Sequence, residues 1–203
     1  MASFTNLVSL MAAIPTMTSF RAPSVTNVAS AALRECGEVN VFYTGFPPCH
    51  ELVAAQGWDP VRVAAGLRNE TVNLANAGYN VHAVFAGIEV PINLLEKRMH
   101  ENGVKFDVTA IGYGMRGANL QPIVERFEDL VEMYERNAPE ARKVFNYNPE
   151  SLLWSVEHRV PLKEDCAAVG KPGKLIGYEE VGKDSSCLMG LDNPAGKVHK
   201  DEL

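Results

Sequence analysis

Four short apolar runs, at 39–44, 79–86, 106–111 and 143–147, each lead through a turn into a segment of helical period, and this alternation limits the folds open to the chain. The first run (Val39-Asn40-Val41-Phe42-Tyr43-Thr44) is β-branched and aromatic and stops at Gly45 and Pro47-Pro48, as a strand entering a loop does. Asp59-Pro60 then offers an N-cap and a proline at the first helical position. Val61, Ala64, Leu67 and Leu74 follow at helical spacing, and Gly78 ends the pattern. Gly66 and residues 69–71 weaken the middle of that helix, so two pieces are expected as readily as one. Further helices are predicted over 91–101, 119–137 and 150–158. In the longest, Ile123, Phe127, Leu130, Val131 and Tyr134 share one face and the acids take the other.

Strand and helix in alternation with short links give parallel pairing through right-handed crossovers. Nearly continuous apolar strands indicate helices on both faces. The expected fold is α/β: an open, doubly wound, mostly parallel sheet of four strands or slightly more, of the Rossmann or flavodoxin-like kind. The chain has 203 residues, of which 46% are hydrophobic and 22% charged, enough for one buried core. Residues 37–162 carry the periodic pattern and are predicted to be the domain. Residues 1–36 are rich in Ser, Thr and Ala with no acid before Glu35, and are expected to be a tail or targeting segment. Residues 163–203, rich in Gly, Lys, Asp and Glu, are expected to be a partly irregular tail.

A net charge of −6 and a pI near 5.4 argue against nucleic acid as a partner, because displacing counterions from phosphates needs excess Lys and Arg. No apolar run approaches the roughly 20 residues that span a bilayer, so no membrane role is expected. Four cysteines scattered at 36, 49, 166 and 187 suggest no disulfide framework, and they are expected to be reduced and structurally minor. The chain ends Lys200-Asp201-Glu202-Leu203, an address for retrieval to the endoplasmic reticulum if the chain enters it. The apolar stretch at 7–17 is interrupted by Pro15 and has no Lys or Arg before it, and Asn69-Glu70-Thr71 would place a glycan in mid-helix. The expectation is a cytoplasmic protein, with the lumen of the endoplasmic reticulum as the alternative.

Open α/β sheets bind ligands outside the carboxyl ends of their strands, where strand order reverses. That rule selects the loops at 44–50, 86–91, 112–117 and 146–150. Gly112-Tyr113-Gly114-Met115-Arg116-Gly117 matches G-x-G-x-x-G between a strand and a helix, the setting in which backbone N–H groups meet a pyrophosphate. It follows the third strand and not the first, Pro122 lies in the first turn of the helix, and Asn146 and Asn148 stand where a ribose-binding acid would be. Arg116 suits a carboxylate or phosphate. The expected site is Thr44, Gly45, Gly112, Gly114, Arg116, Asn146 and Asn148 around a small anionic or nucleotide ligand. NAD(P) would be the cofactor if the protein is a nucleotide-dependent oxidoreductase; the alternative is a non-catalytic interaction or regulatory module. Cys49-His50 sets a thiol next to an imidazole, but adjacent side chains point apart. No Cys/His spacing suits zinc, so no metal site is expected.

From Asp107 to Leu153 the order Gly112, Gly114, Arg116, Ala138-Pro139, Asn148-Pro149 resembles the lactate and malate dehydrogenases. In that family the Asn helps hold substrate near the nicotinamide; the family's first-strand glycine fingerprint and its Asp–His pair have no counterpart here. A longer span, about Trp58 to Trp154, resembles small uncharacterised α/β proteins of fungi and bacteria. The shared motifs are Gly57–Pro60, Gly78–Val81, Gly112–Arg116, Phe127–Val131, Ala138–Ala141 and Phe145–Pro149. That resemblance implies the fold and no particular chemistry.

Overall fold

A computed structural model describes residues 33–182. In chain order the elements are β1 (Asn40–Gly45), α1 (Glu51–Ala55), α2 (Pro60–Asn76), β2 (Asn80–Ala86), α3 (Ile92–His100) and β3 (Val108–Ile111). Then come α4 (Tyr113–Arg116), α5 (Gln121–Asn137), β4 (Arg142–Phe145), α6 (Leu152–Arg159) and β5 (Leu175–Val181). The strands form one open sheet in the order β4-β3-β1-β2-β5, with every neighbouring pair parallel. The doubly wound α/β fold expected from the alternation is the fold observed.

Period-two alternation along the strands feeds two cores. Val41 and Tyr43 of β1 pack with Leu67 and Leu74 of α2 and Leu152 and Val156 of α6. Phe42, between them in sequence, points the other way and packs with Leu95 and Met99 of α3 and Leu130 and Met133 of α5. One face thus carries α2 and α6 and the other α3 and α5, with Val53 of α1 and Met115 of α4 joining the second core, and both faces of the central strands are dry.

The Asp59 side chain accepts from the Val61 N–H at 3.2 Å and starts α2, which runs unbroken for 17 residues. The expected weakness at its middle has a structural use. Glu70 is buried there, and its Oε2 accepts from the backbone N–H groups of Leu152 (2.6 Å) and Leu153 (3.0 Å). A carboxylate from α2 therefore caps the amino end of α6, where two helix N–H groups would otherwise lack partners.

Two expectations are corrected. The described part of the segment predicted as a tail, residues 163–182, supplies β5, which pairs with β2 from Val81 to Ala86; residues 183–203 lie outside the described residues. A bridge between Arg34 and Leu162 likewise ties the segment before β1 to the segment after α6. The cysteines are not all reduced or minor, because Cys36 and Cys166 form a disulfide across 130 residues of sequence. Gly78 makes that bond possible. Its φ of +100° suits glycine, and a Cβ there would lie 2.5 Å from the Cys166 sulfur.

β5 is anchored by charge. Glu179 accepts from Arg98 Nε at 2.9 Å and has His82 Nε2 at 3.7 Å, while Arg98 Nη1 donates to Glu101 at 2.9 Å. Burial by itself would raise the Glu179 pKa, but the neighbouring His82 and the hydrogen bond and positive charge of Arg98 outweigh it and hold the carboxyl below its ordinary value.

Candidate functional site

β1 leads to β2 on one side, and the chain returns past β1 to place β3 on the other. The carboxyl ends of β1 and β3 therefore flank the point where strand order reverses. The Gly112 N–H donates to the Thr44 carbonyl at 2.8 Å, which carries the β1–β3 pairing to the rim. A Cβ on Gly112 would lie 3.5 Å from that carbonyl oxygen and 3.4 Å from the Tyr43 hydroxyl, in ordinary contact with both, so the loop backbone runs close against β1.

A slot of about 50 Å³ opens at this place. Gly45, Gly112, Gly114 and Asn146 line it, as the sequence predicts. Its aromatic walls, Tyr43, Phe46, Trp58 and Tyr113, were not expected. Trp58 and Tyr113 meet edge to face at 6.0 Å, which fixes the wall between the start of α2 and α4. No Asp, Glu, Lys, Arg or His is among the described lining residues. Burial, and secondarily the charge of Glu70, push the Tyr43 phenol well up, so it stays a neutral hydroxyl.

Asn146 is the polar centre of the slot. It is 1% exposed, and its Nδ2 donates to the Asn148 carbonyl at 2.7 Å. Its Oδ1 is buried and has no hydrogen-bond partner. A buried acceptor without a partner costs about 1–3 kcal/mol.

The other three predicted residues stand apart from the slot. The Thr44 hydroxyl donates to the Val84 carbonyl at 2.8 Å in the buried interior. Asn148 shapes the turn: its Oδ1 accepts from the Glu150 N–H and its carbonyl from Asn146. Arg116 is exposed at the rim. Its Nε donates to the Asn146 carbonyl at 3.1 Å, and its guanidinium lies 5.4 Å from the Tyr113 ring centroid. It joins the 112–117 loop to the 146–149 loop.

The G-x-G-x-x-G stretch, read as a loop, winds mostly into α4. Cys49 is disulfide-bonded and so offers no thiol. His50 accepts from the Leu52 N–H through Nδ1 and meets Glu89 through Nε2 at 3.0 Å, which makes it a cap for α1. Atoms of His82, Glu101 and Glu179 approach one another within 4.8 Å, a spacing that could suit a cation. The Arg98 guanidinium already bonds both carboxylates, so this group is an ion-pair cluster. No helix among the described residues is long and apolar enough to cross a membrane.

No family model matches this chain, and neither curated proteins nor solved structures give a match.

Proposed function

We propose that this domain binds a small anionic ligand at the carboxyl ends of β1, β3 and β4. One observation carries the reading: at the reversal of strand order a small cavity opens, lined by Gly45, Gly112, Gly114 and Asn146, with Asn146 hydrogen-bonded through its backbone carbonyl to Arg116. Arg116 donates to the Asn146 carbonyl, and its exposed guanidinium suits a carboxylate or phosphate outside the slot. A slot of about 50 Å³ favours a small molecule over a dinucleotide. The described lining residues supply no nucleophile with its base, which supports binding over covalent catalysis.

The Cys36–Cys166 bond supports an oxidising compartment as the place of work, since such bonds are rare in the cytosol. This reading sets aside the cytoplasmic expectation in favour of its alternative.

A thermal-shift screen of carboxylates, sugar phosphates and nucleotides tests the binding role, because a ligand selective for the native state raises the melting temperature. Arg116→Ala is expected to abolish most of any anion-induced shift, while Arg142→Ala, on the exposed edge strand β4, leaves it intact. An anion that binds Arg116→Ala as well as wild type would remove Arg116 from the site.

A further inference from the structure

We propose that the slot takes the short aliphatic tail of a small acid, a chain of a few carbons whose carboxylate stays outside, near Arg116. This rests on the ligand-binding reading of the same crevice and names the ligand's chemistry.

Three features set that chemistry. The first is the walls. Phe46, Trp58 and Tyr113 supply aromatic surface, and Val53, Val63 and Leu67 supply aliphatic surface. The polar side chains among the lining residues are engaged or buried. The Gln56 amide donates through Nε2 to the Leu52 carbonyl at 3.0 Å, and Asn146 donates through Nδ2 to the Asn148 carbonyl at 2.7 Å. The Asn146 Oδ1 is itself buried, and Tyr43 is only 1% exposed. A charge entering such walls unpaired would be heavily penalised, whereas each methylene buried there is favourable. The second is size. An apolar protein cavity of roughly 150 Å³ holds benzene. A slot of about 50 Å³ excludes a ring of that size and admits a chain of a few carbons. The third is the rim. Arg116 does not line the slot, but it stands against two residues that do. Its Nε donates to the Asn146 carbonyl at 3.1 Å, and its guanidinium lies 5.4 Å from the centre of the Tyr113 ring. An acid group left outside the slot has this exposed guanidinium as its counter-ion.

Burying one methylene tightens binding about fourfold. The test titrates straight-chain carboxylates from two to eight carbons, and the primary alcohols of the same lengths, into the full chain. NMR follows the backbone amides of Gly112 and Gly114, the Gln56 side-chain amide and the Trp58 indole N–H. Acid affinity is expected to rise about fourfold per carbon until the slot is full, at about four or five carbons, and then to level off. Val63→Ala, which enlarges the slot, should move that limit to a longer acid. Arg116→Ala should weaken every acid alike and leave the dependence on chain length in place. If acids bind at these residues with no dependence on chain length, the tail inference is overturned and the anion reading survives. If affinity keeps rising through eight carbons, the chain lies outside the slot and the tail inference is likewise overturned. If alcohols bind as tightly as acids, the slot takes the chain without the acid, and the anion reading alone falls. If neither series moves these signals, both fall.

Discussion

Beside β5, the Glu179 carboxylate accepts from Arg98 and has His82 at 3.7 Å, and the second oxygen-bearing partner of Arg98 is Glu101. Beside β4, the Asn146 side chain has one bond, from Nδ2, and an oxygen with none. Both groups are polar, Asn146 buried and Glu179 half-buried. They differ in what completes them. The Glu179 cluster closes on groups the chain itself supplies, so its role is to hold β5 and α3 together. The Asn146 side chain keeps an acceptor without a partner, as the buried Arg126 does with its Nε and Nη2.

The largest effect that sharpens this contrast is expected at Arg98. Arg98→Ala would leave Glu179 buried without its main partner, and breaking such a pair from one side costs about 3–5 kcal/mol. Denaturant unfolding should show a loss at the low end of that range, because the Glu179 side chain keeps 16% exposure. The pH dependence has a defined sign. The Glu179 pKa is lowered on folding, so its contribution is present above the ordinary carboxylate value of 4.5 and is lost as pH falls through the lower folded value. Wild type should therefore lose stability on acidification below about pH 4.5, and Glu179→Gln should flatten that dependence.

A smaller loss is expected on removing the disulfide. Cys36→Ala with Cys166→Ala frees a loop of 130 residues, and closing loops of that order typically stabilises by about 2–4 kcal/mol. The same pair of substitutions should leave any ligand affinity at the β1–β3 crevice unchanged, since neither cysteine lines it. A drop in affinity would show that the two regions are coupled.

The sequence showed the parts of this molecule that repeat a pattern. Four strands, the start of α2 at Asp59-Pro60 and the long amphipathic α5 follow from periodicity and caps, and the crevice follows from the rule for open α/β sheets. β5 escaped because Leu175-Ile176-Gly177-Tyr178-Glu179-Glu180-Val181 breaks apolar alternation with a glycine and two acids. Those acids are acceptable in a strand only because Arg98 and Tyr178 meet them, which is a tertiary fact. The disulfide escaped for the same reason: Cys36 and Cys166 become neighbours only when the segment before β1 meets the segment after α6 at the Arg34–Leu162 bridge. Within the site, the glycines and Asn146 were legible as turn chemistry at strand ends. Trp58 and Tyr43 were not, since nothing in a linear pattern says which helix start leans over which loop. Thr44 and Asn148 were chosen by position along the chain, and side-chain direction places them elsewhere.

The central claim is that Asn146 belongs to a ligand crevice and is not a support of the fold. Asn146→Leu keeps the volume close, removes the unpartnered oxygen and gives up the bond to Asn148. Relief of a buried, unpaired acceptor is worth about 1–3 kcal/mol and loss of one neutral hydrogen bond about 0.5–1.5 kcal/mol, so the two changes should offset. The unfolding free energy of unliganded Asn146→Leu in urea is therefore predicted to lie within about 1 kcal/mol of wild type. A loss of about 3 kcal/mol or more would contradict the account, because Asn146 would then be a support of the fold whose side chain the protein already uses in full.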